Sequence, residues 1–196
     1  TDQTHTFETR GSGPIGFGEG NRPLLLTYAI EEPAALVLID LERNEVIHRF
    51  AGPTEPAHEI LALSLAEDGS RAAAMCRRVA PEIADPSGLS SGVVVRVWDA
   101  RTGELIQDIA ESESSRDVEL APDGSLMAIA TTSGTIRHWT LPEGVFQGEI
   151  PVCDNPIHCM AFGRDRRISA DGAPLDSRWQ LAVGDAGGAA TVVDLG

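Results

Sequence analysis

Cysteine, histidine and aspartate lie close together at positions 153–159, and these residue types suit metal binding. Cys153, Asp154, His158 and Cys159 carry groups that bind zinc, and the two cysteines alone would close a small disulfide loop. Their spacing matches none of the established zinc motifs. The chain has 3 cysteines in all, too few for a disulfide framework, and Cys76 lies in an apolar run typical of a buried strand. We therefore expect packing roles for these residues, with neither a metal site nor a cofactor.

A glycine-rich segment near the N-terminus is the other arrangement that suggests catalytic chemistry. Gly11–Gly20 resembles a phosphate-binding loop in its glycine content. However, no Gly-Lys-Ser or Gly-Lys-Thr follows it and no helix is predicted after it, which argues against phosphate binding. Serine, histidine and aspartate occur elsewhere only as scattered residues. We therefore expect no catalytic residues and interpret the segment as a linker that leads into a glycine-tolerant first strand.

A repeating pattern of apolar runs and polar turns organises the whole chain. A polar turn preceded and followed by apolar runs occurs four times, at Ile15–Asn21, Leu63–Ser70, Val118–Ser125 and Met160–Arg166. A period of about 40–45 residues with four strands per unit is typical of β-propeller blades. No segment shows a sustained apolar pattern at helical spacing. We therefore predict an all-β fold: a β-propeller of about four blades, each a four-stranded antiparallel sheet, spanning approximately residues 14–50, 58–109, 116–150 and 157–196.

Three segments carry a resemblance to a known repeat family. Val95–Leu105 reads Val-Arg-Val-Trp-Asp-Ala-Arg-Thr-Gly-Glu-Leu and resembles the end of a WD (tryptophan–aspartate) repeat. Leu120–Ser125 is similar to the family's first hairpin turn, and Thr131–Trp139 to its hairpin into the third strand. The repeats are degenerate, since no Gly-His dipeptide occurs and only one unit keeps Trp-Asp intact. The family's hydrogen-bonded tetrad of Asp, His, Ser and Trp cannot be assembled from these repeats.

The two ends of the chain suggest how such a propeller closes. Thr4–Thr9 reads as a spare strand, whereas the last unit ends after its third strand at Val192–Gly196. The N-terminal strand is therefore expected to complete a last blade, in its own chain or in a partner chain, because open sheet edges invite aggregation. Three arrangements remain open: a closed four-bladed ring, two chains that share an eight-bladed ring, and part of a longer propeller. We favour a larger ring.

The charge of the chain limits its partners. There are 30 acidic and 15 basic residues, giving a formal net charge of −15. Such a surface repels nucleic acid and anionic lipid, so we expect neither nucleic acid nor a membrane as a partner. All 15 basic residues are arginine. The composition of the genome or selection against modification of lysine would explain the absence of lysine. With no apparent signal peptide and no apolar stretch of about 20 residues, we expect a cytoplasmic protein.

The resemblance to WD repeats implies a non-catalytic scaffold that binds a protein or peptide, and the acidic charge of the chain favours a basic partner. In such propellers, the loops after the fourth strand of each blade share a face with the loops between the second and third strands. That face is expected to contain Arg10, His58, Arg116 and Asp154 from the first set of loops, and Glu31, Glu82, Asp85 and Asp185 from the second. One alternative is a structural subunit of a homodimer or larger propeller. The other is a lactonase-like propeller enzyme with Glu119 or Asp185 facing a central channel.

Overall fold

The structure, a computed structural model, describes residues 16–18, 23–29, 35–50, 58–78, 92–111, 114–165 and 178–195. These residues form fifteen β-strands in four antiparallel sheets. The first sheet contains β1 (Gly16–Gly18), β2 (Leu24–Ala29), β3 (Ala35–Asp40) and β4 (Glu45–Phe50). The second contains β5 (His58–Leu65), β6 (Arg71–Arg78), β7 (Val93–Asp99) and β8 (Leu105–Glu111). The third contains β9 (Ser115–Leu120), β10 (Leu126–Thr131), β11 (Thr135–Thr140) and β12 (Val145–Pro151).

The fourth sheet has three strands in the described part of the chain: β13 (Ile157–Asp165), β14 (Arg178–Asp185) and β15 (Ala190–Asp194). In every sheet the strands pair in chain order, as in an up-and-down blade. The all-β fold of antiparallel blades predicted from the sequence is confirmed. Thr4–Thr9, the segment expected to complete a last blade, lies outside the described residues. None of the described residues belongs to a helix with the length and hydropathy needed to cross a bilayer.

Aspartates at the ends of strands form the tight turns of the sheets. Asp40 accepts hydrogen bonds from the N–H groups of Glu42 and Arg43, each at 3.0 Å. Asp99 repeats this arrangement in the second sheet, where it accepts from the N–H groups of Arg101 and Thr102 at 2.8 and 3.1 Å. Aspartate favours such turns because its short side chain satisfies backbone donors that the ladder leaves unpaired. The aspartate of the Trp-Asp pair therefore connects the third strand to the fourth.

The sheets follow one another in an arc, with their first strands innermost. β1 contacts β5, β5 contacts β9, and β9 contacts β13. Among the described residues, no strand of the fourth sheet packs against the first sheet to a comparable extent. We call the side of each sheet that faces the next sheet along the chain its forward face, and the opposite side its rear face.

Apolar side chains fill the three interfaces between successive sheets. The first interface is formed by Leu26, Leu38 and Phe50 against Ala72 and Trp98. The second is formed by Ala73 and Val97 against Met127 and Trp139, and the third by Ala128 and Ile136 against Leu181 and Val183. Burying each larger side chain stabilises the fold by about 1.5–3 kcal/mol. Two tryptophans thus pack between sheets: Trp98 and Trp139 are 2% and 5% exposed.

Candidate functional site

Three of the eight residues predicted to form a binding face have described side chains. Arg116 is exposed near the start of β9, Asp154 is exposed in the turn between β12 and β13, and Asp185 ends β14. His58 begins β5, but its side chain is outside the described set. The other four, which are Arg10, Glu31, Glu82 and Asp85, lie outside the described residues.

The structure brings Asp154 and Asp185 into neighbouring turns of one end of the molecule. Asn155, which follows Asp154, donates from its Nδ2 to the Asp185 Oδ2 at 3.2 Å. The other carboxylate oxygen of Asp185 accepts the Ala189 N–H at 2.9 Å. The Ala189 N–H and then the Asn155 amide lower the pKa of Asp185, because both stabilise its ionised form. The two turns therefore present fixed negative charge.

A close contact between backbone atoms fixes the turn that lies next to Asp154 at this end of the molecule. The carbonyl oxygen of Gly134, in the turn between β10 and β11, accepts the N–H groups of Val152 and Cys153 at 2.9 and 3.2 Å. Gly134 has φ +76°, and a Cβ at this position would collide with the Cys153 carbonyl. The β10–β11 turn is thus held directly against the segment that carries Asp154.

An ion pair with a buried carboxylate joins the second and third sheets near the start of β9. The Glu111 side chain is 1% exposed and binds the Arg137 Nη1 at 2.6 Å. It also accepts the Ser115 hydroxyl at 3.0 Å, while Arg137 continues to Glu149 at 3.0 Å. Sequence reasoning missed this pair because its partners are distant in sequence and lie on different sheets.

Two carboxyl groups lie side by side on β9, the inner strand of the third sheet. The Glu119 Oε2 accepts the Ser64 hydroxyl of β5 at 2.9 Å, and the Ser64 Oγ accepts the Leu120 N–H at 2.9 Å. Asp117 receives the N–H of Met160 from β13. Burial raises the pKa of Glu119 to about 7, and it also raises the pKa of Asp117. These acids connect the third sheet to both of its neighbours.

The described side chains do not assemble a metal site. Within the described residues, no group of three or more His, Cys, Asp or Glu side chains is placed to hold a metal ion. Cys76, Cys153 and Cys159 are all free thiols. Burial raises the pKa of Cys76 to about 11, so this thiol stays protonated and behaves as a small apolar side chain, as predicted.

One segment matches the sequence pattern of a hydrolase motif. Gly88-Leu-Ser-Ser-Gly92 matches Gly-x-Ser-x-Gly, in which the serine is a nucleophile between a strand and a helix. Gly88–Ser91 lie outside the described residues, and Gly92 directly precedes strand β7. A strand therefore follows where the motif requires a helix, so the match carries no argument for catalysis.

Comparisons with known proteins give partial sequence matches and a fold match. No protein-family model matches the chain. WD repeat and SOCS box-containing protein 1 of Xenopus tropicalis is 35% identical over 82 residues, which is 40% of this chain and 19% of that protein. The protein of that name from Mus musculus is 33% identical over 82 residues, again 40% of this chain and 19% of the relative. The chain thus spans about a fifth of the length of these curated relatives.

Two solved structures share the fold. A structure of the Dos1 propeller has a TM-score of 0.55 and 11% identity, and the match covers 92% of this chain and 43% of that one. Hydrazine synthase of Kuenenia stuttgartiensis has a TM-score of 0.56 and 14% identity, with 100% of this chain and 49% of that chain covered. At such identities the likeness shows fold alone, and because one neighbour is an enzyme, the fold does not exclude catalysis. The WD-repeat matches, the Trp-Asp turn and the antiparallel blades together confirm the resemblance seen in the sequence: the chain has a β-propeller fold whose blades are similar to degenerate WD repeats.

Proposed function

We propose that this chain is a non-catalytic protein-interaction scaffold. The supporting observation is the pair of acids, exposed Asp154 and partly buried Asp185, on neighbouring turns that hydrogen bonds hold in place. A fixed, charged surface on a rigid scaffold is suited to recognition, since little conformational entropy is lost when a partner binds. WD-repeat relatives support an interaction role at this general level.

The proposed partner is a basic peptide or protein segment. The net charge of −15 attracts positively charged partners and increases the rate of their association. The proposed face consists of the eight residues predicted from the sequence: Arg10, Glu31, His58, Glu82, Asp85, Arg116, Asp154 and Asp185. Within this proposed face, the exposed Arg116 would pair with an acidic residue and so favour partners of mixed charge.

Binding of lysine- and arginine-rich peptides, measured by fluorescence anisotropy at low and at physiological salt, tests this proposal. The double variant Asp154→Asn, Asp185→Asn should weaken binding roughly two- to fivefold, the size expected for exposed charge pairs. The matched control is Glu104→Gln, Glu143→Gln, which removes the same charge from exposed positions in turns at the opposite end. Equal losses in both variants would show a general charge effect and no defined site. Absence of binding at low salt would contradict the basic partner.

A second candidate function is structural assembly. The observation in its favour is that the fourth sheet has three strands and no neighbouring sheet on its forward face within the described residues. In this proposal, the four units predicted from the sequence are blades of one larger propeller. The solution mass distinguishes the simplest forms: a monomer near 20.8 kDa contradicts a shared eight-bladed homodimer.

A further inference from the structure

Exposed apolar side chains concentrate along one rim of the molecule. In the described part of the chain, five of the six large apolar side chains that remain exposed lie at the start of an outermost strand: Val46, Ile47, Leu105, Val145 and Phe146. The sixth, Val192, lies on β15. All five follow the turn between the third and fourth strands of a sheet, at the end opposite to Asp154 and Asp185.

Three of these residues occupy the same register position in successive sheets. Val46, Leu105 and Phe146 pair with the last apolar residue of the adjacent third strand, which is Ile39, Trp98 and Trp139 respectively. In each pair of strands the register shifts at this point. Their exposed fractions are 45%, 51% and 47%, although the residues they pair with are buried. We call Val46, Leu105 and Phe146 the apolar row.

Hydrogen bonds between sheets bring the members of the apolar row onto adjoining rims. His48, on β4, bonds the carbonyl oxygen of Arg101 in the turn before β8 at 2.9 Å. Gln107, on β8, donates to the carbonyl oxygen of Pro142 in the turn before β12 at 2.8 Å. Each turn therefore rests against the outermost strand of the preceding sheet. The apolar row thus forms a connected surface, which is the arrangement expected of an interaction site.

The last residue of the apolar row is held in place although its ring is exposed. The Phe146 ring centroid lies 5.2 Å from that of Trp139, and the Arg137 guanidinium is 5.4 Å from the Phe146 ring. Arg137 is itself bound by Glu111 and Glu149. An aromatic side chain that is already ordered loses little conformational entropy when a partner packs on it, and aromatic residues often dominate binding energy.

The residues just before the apolar row carry an excess of acid. Their exposed ionisable side chains are four acids and two arginines: Glu42, Glu45, Glu104 and Glu143, with Arg43 and Arg101. Arg101 already lies 3.9 Å from the Asp68 carboxylate. The apolar row is therefore bordered by negative charge, in a chain of formal charge −15. A partner that carries basic residues beside its apolar ones is complementary to this surface.

The spacing of the sheets favours a helix as the partner. Sheets that pack face to face lie about 10 Å apart, so neighbouring members of the apolar row are expected at about this distance or slightly more. Residues seven apart in a helix lie on nearly the same side and are also separated by about 10 Å, because the rise per residue is about 1.5 Å. A helix laid across the three rims thus meets Val46, Leu105 and Phe146 with every seventh residue.

We propose that the apolar row is a docking surface for an amphipathic helix of another protein, which carries large apolar residues seven apart and lysine or arginine beside them. A second copy of this chain is a poor occupant, since its described residues form strands and turns and two chains of charge −15 repel one another. The surface is separate from the face that contains Asp154 and Asp185, so the proposal is independent of the function proposed for that face.

Two synthetic helical peptides test the proposal. Both are alanine-based, with the same number of lysines and three leucines. In the first, the row peptide, the leucines are seven residues apart and share one side of the helix; in the second, the scattered peptide, they are five apart and point in different directions. Fluorescence anisotropy gives the affinity of each peptide, and the ratio of the two affinities is the readout. Because the peptides have equal charge, this ratio reports the apolar contacts and is insensitive to general attraction between opposite charges.

The row peptide is expected to bind at least tenfold more tightly than the scattered peptide. The double variant Val46→Ser, Leu105→Ser changes no charge and should remove most of this difference, while an unchanged urea midpoint shows that the variant is folded. Val192→Ser, at the exposed apolar position on β15, is the matched control and should keep the ratio. Equal binding of both peptides overturns the proposal, and so does an equal loss in the double variant and in Val192→Ser.

The variant Asp154→Asn, Asp185→Asn separates this surface from the face at the opposite end. It should lower the affinities of both peptides alike and leave their ratio unchanged, because it lies away from the apolar row. Loss of the ratio in this variant would place the helix at the other end and overturn the proposal. Failure of the proposal through equal binding of the two peptides leaves the test with lysine- and arginine-rich peptides unaffected, since that test depends on charge alone.

Discussion

At the residue scale, the carboxyl groups of the inner strand act in packing between sheets. Glu119 and Asp117 each engage a different neighbouring sheet, through Ser64 and through the N–H of Met160. Glu119, with a pKa near 7, is chemically suited to exchange protons at neutral pH. However, its observed partners are structural, and the described residues around it assemble no metal site. A perturbed carboxyl in a propeller centre is therefore insufficient to assign catalysis.

The raised pKa of Glu119 predicts that stability falls as pH rises. Burial disfavours the charged form, so the folded-state pKa, about 7, lies above the ordinary value of 4.5. The contribution of the protonated group to stability is fully present below the ordinary pKa and is lost as pH rises through the folded pKa. Urea denaturation should thus show lower stability at pH 8 than at pH 5, and Glu119→Gln should reduce this decline by roughly 1–3 kcal/mol. Glu143→Gln, at an exposed turn position, is the control and should leave the decline unchanged; an equal effect of both variants would contradict the assignment.

Removal of the Ser64 hydroxyl should destabilise the joint between the second and third sheets. Ser64 is 3% exposed; its hydroxyl group donates to Glu119, and its oxygen accepts from the Leu120 N–H. Ser64→Ala leaves that N–H without its partner, which costs about 1–3 kcal/mol. Chemical denaturation at pH 5 measures the loss. Ser133→Ala, at an exposed position in a turn, is the matched substitution, and a similar loss there would remove any special role for Ser64.

At the element scale, local chemistry was predictable from the sequence and contacts between sheets were not. The hairpin turns follow from short sequences such as Asp99–Glu104, because the aspartate bonds backbone groups only a few residues away. The ion pair of buried Glu111 with partly exposed Arg137 joins residues from two sheets, and no local sequence pattern encodes this contact. The exposed forward face of the fourth sheet is equally invisible in sequence, since Ala182 reads like the buried Ala73 and Ala128. Which face a strand buries depends on its neighbours, so it required the assembled fold.

Three glycine substitutions separate backbone strain from steric collision in the turns. Gly134→Ala must adopt φ +76° and also displace the Cys153 carbonyl, whereas Gly188→Ala, at φ +83°, meets nothing nearby. Gly92→Ala has neither constraint. Thermal or urea unfolding should rank the losses as Gly134 above Gly188 above Gly92, with about 1 kcal/mol or more for Gly188→Ala and a larger loss for Gly134→Ala. Equal losses at Gly134 and Gly188 would show that the collision of the new Cβ with the Cys153 carbonyl costs no stability.

At the scale of the whole molecule, packing between the sheets favours the folded state and the excess of acidic residues opposes it. The three interfaces between sheets supply the apolar burial, whereas the net charge of −15 opposes compaction through self-repulsion. Exposed ion pairs such as Arg77 with Glu59, at 3.3 Å, offset this only slightly, because surface pairs contribute about 0–1 kcal/mol each. The 15 arginines cannot neutralise the 30 acids, so repulsion should dominate the response of the protein to salt.

Added salt should therefore stabilise this protein. Raising sodium chloride from about 0.02 to about 0.2 M shortens the screening length from roughly 20 to roughly 7 Å, and weakens long-range repulsion more than contacts at about 3 Å. The free energy of unfolding should rise by on the order of 1 kcal/mol, measured with urea because guanidinium is itself a salt. The variant Glu104→Gln, Glu143→Gln, with a less negative charge, should respond less to salt. A fall in stability with salt would contradict the prediction, because local pairs such as Arg137 with Glu111 would then outweigh the repulsion among the excess acids.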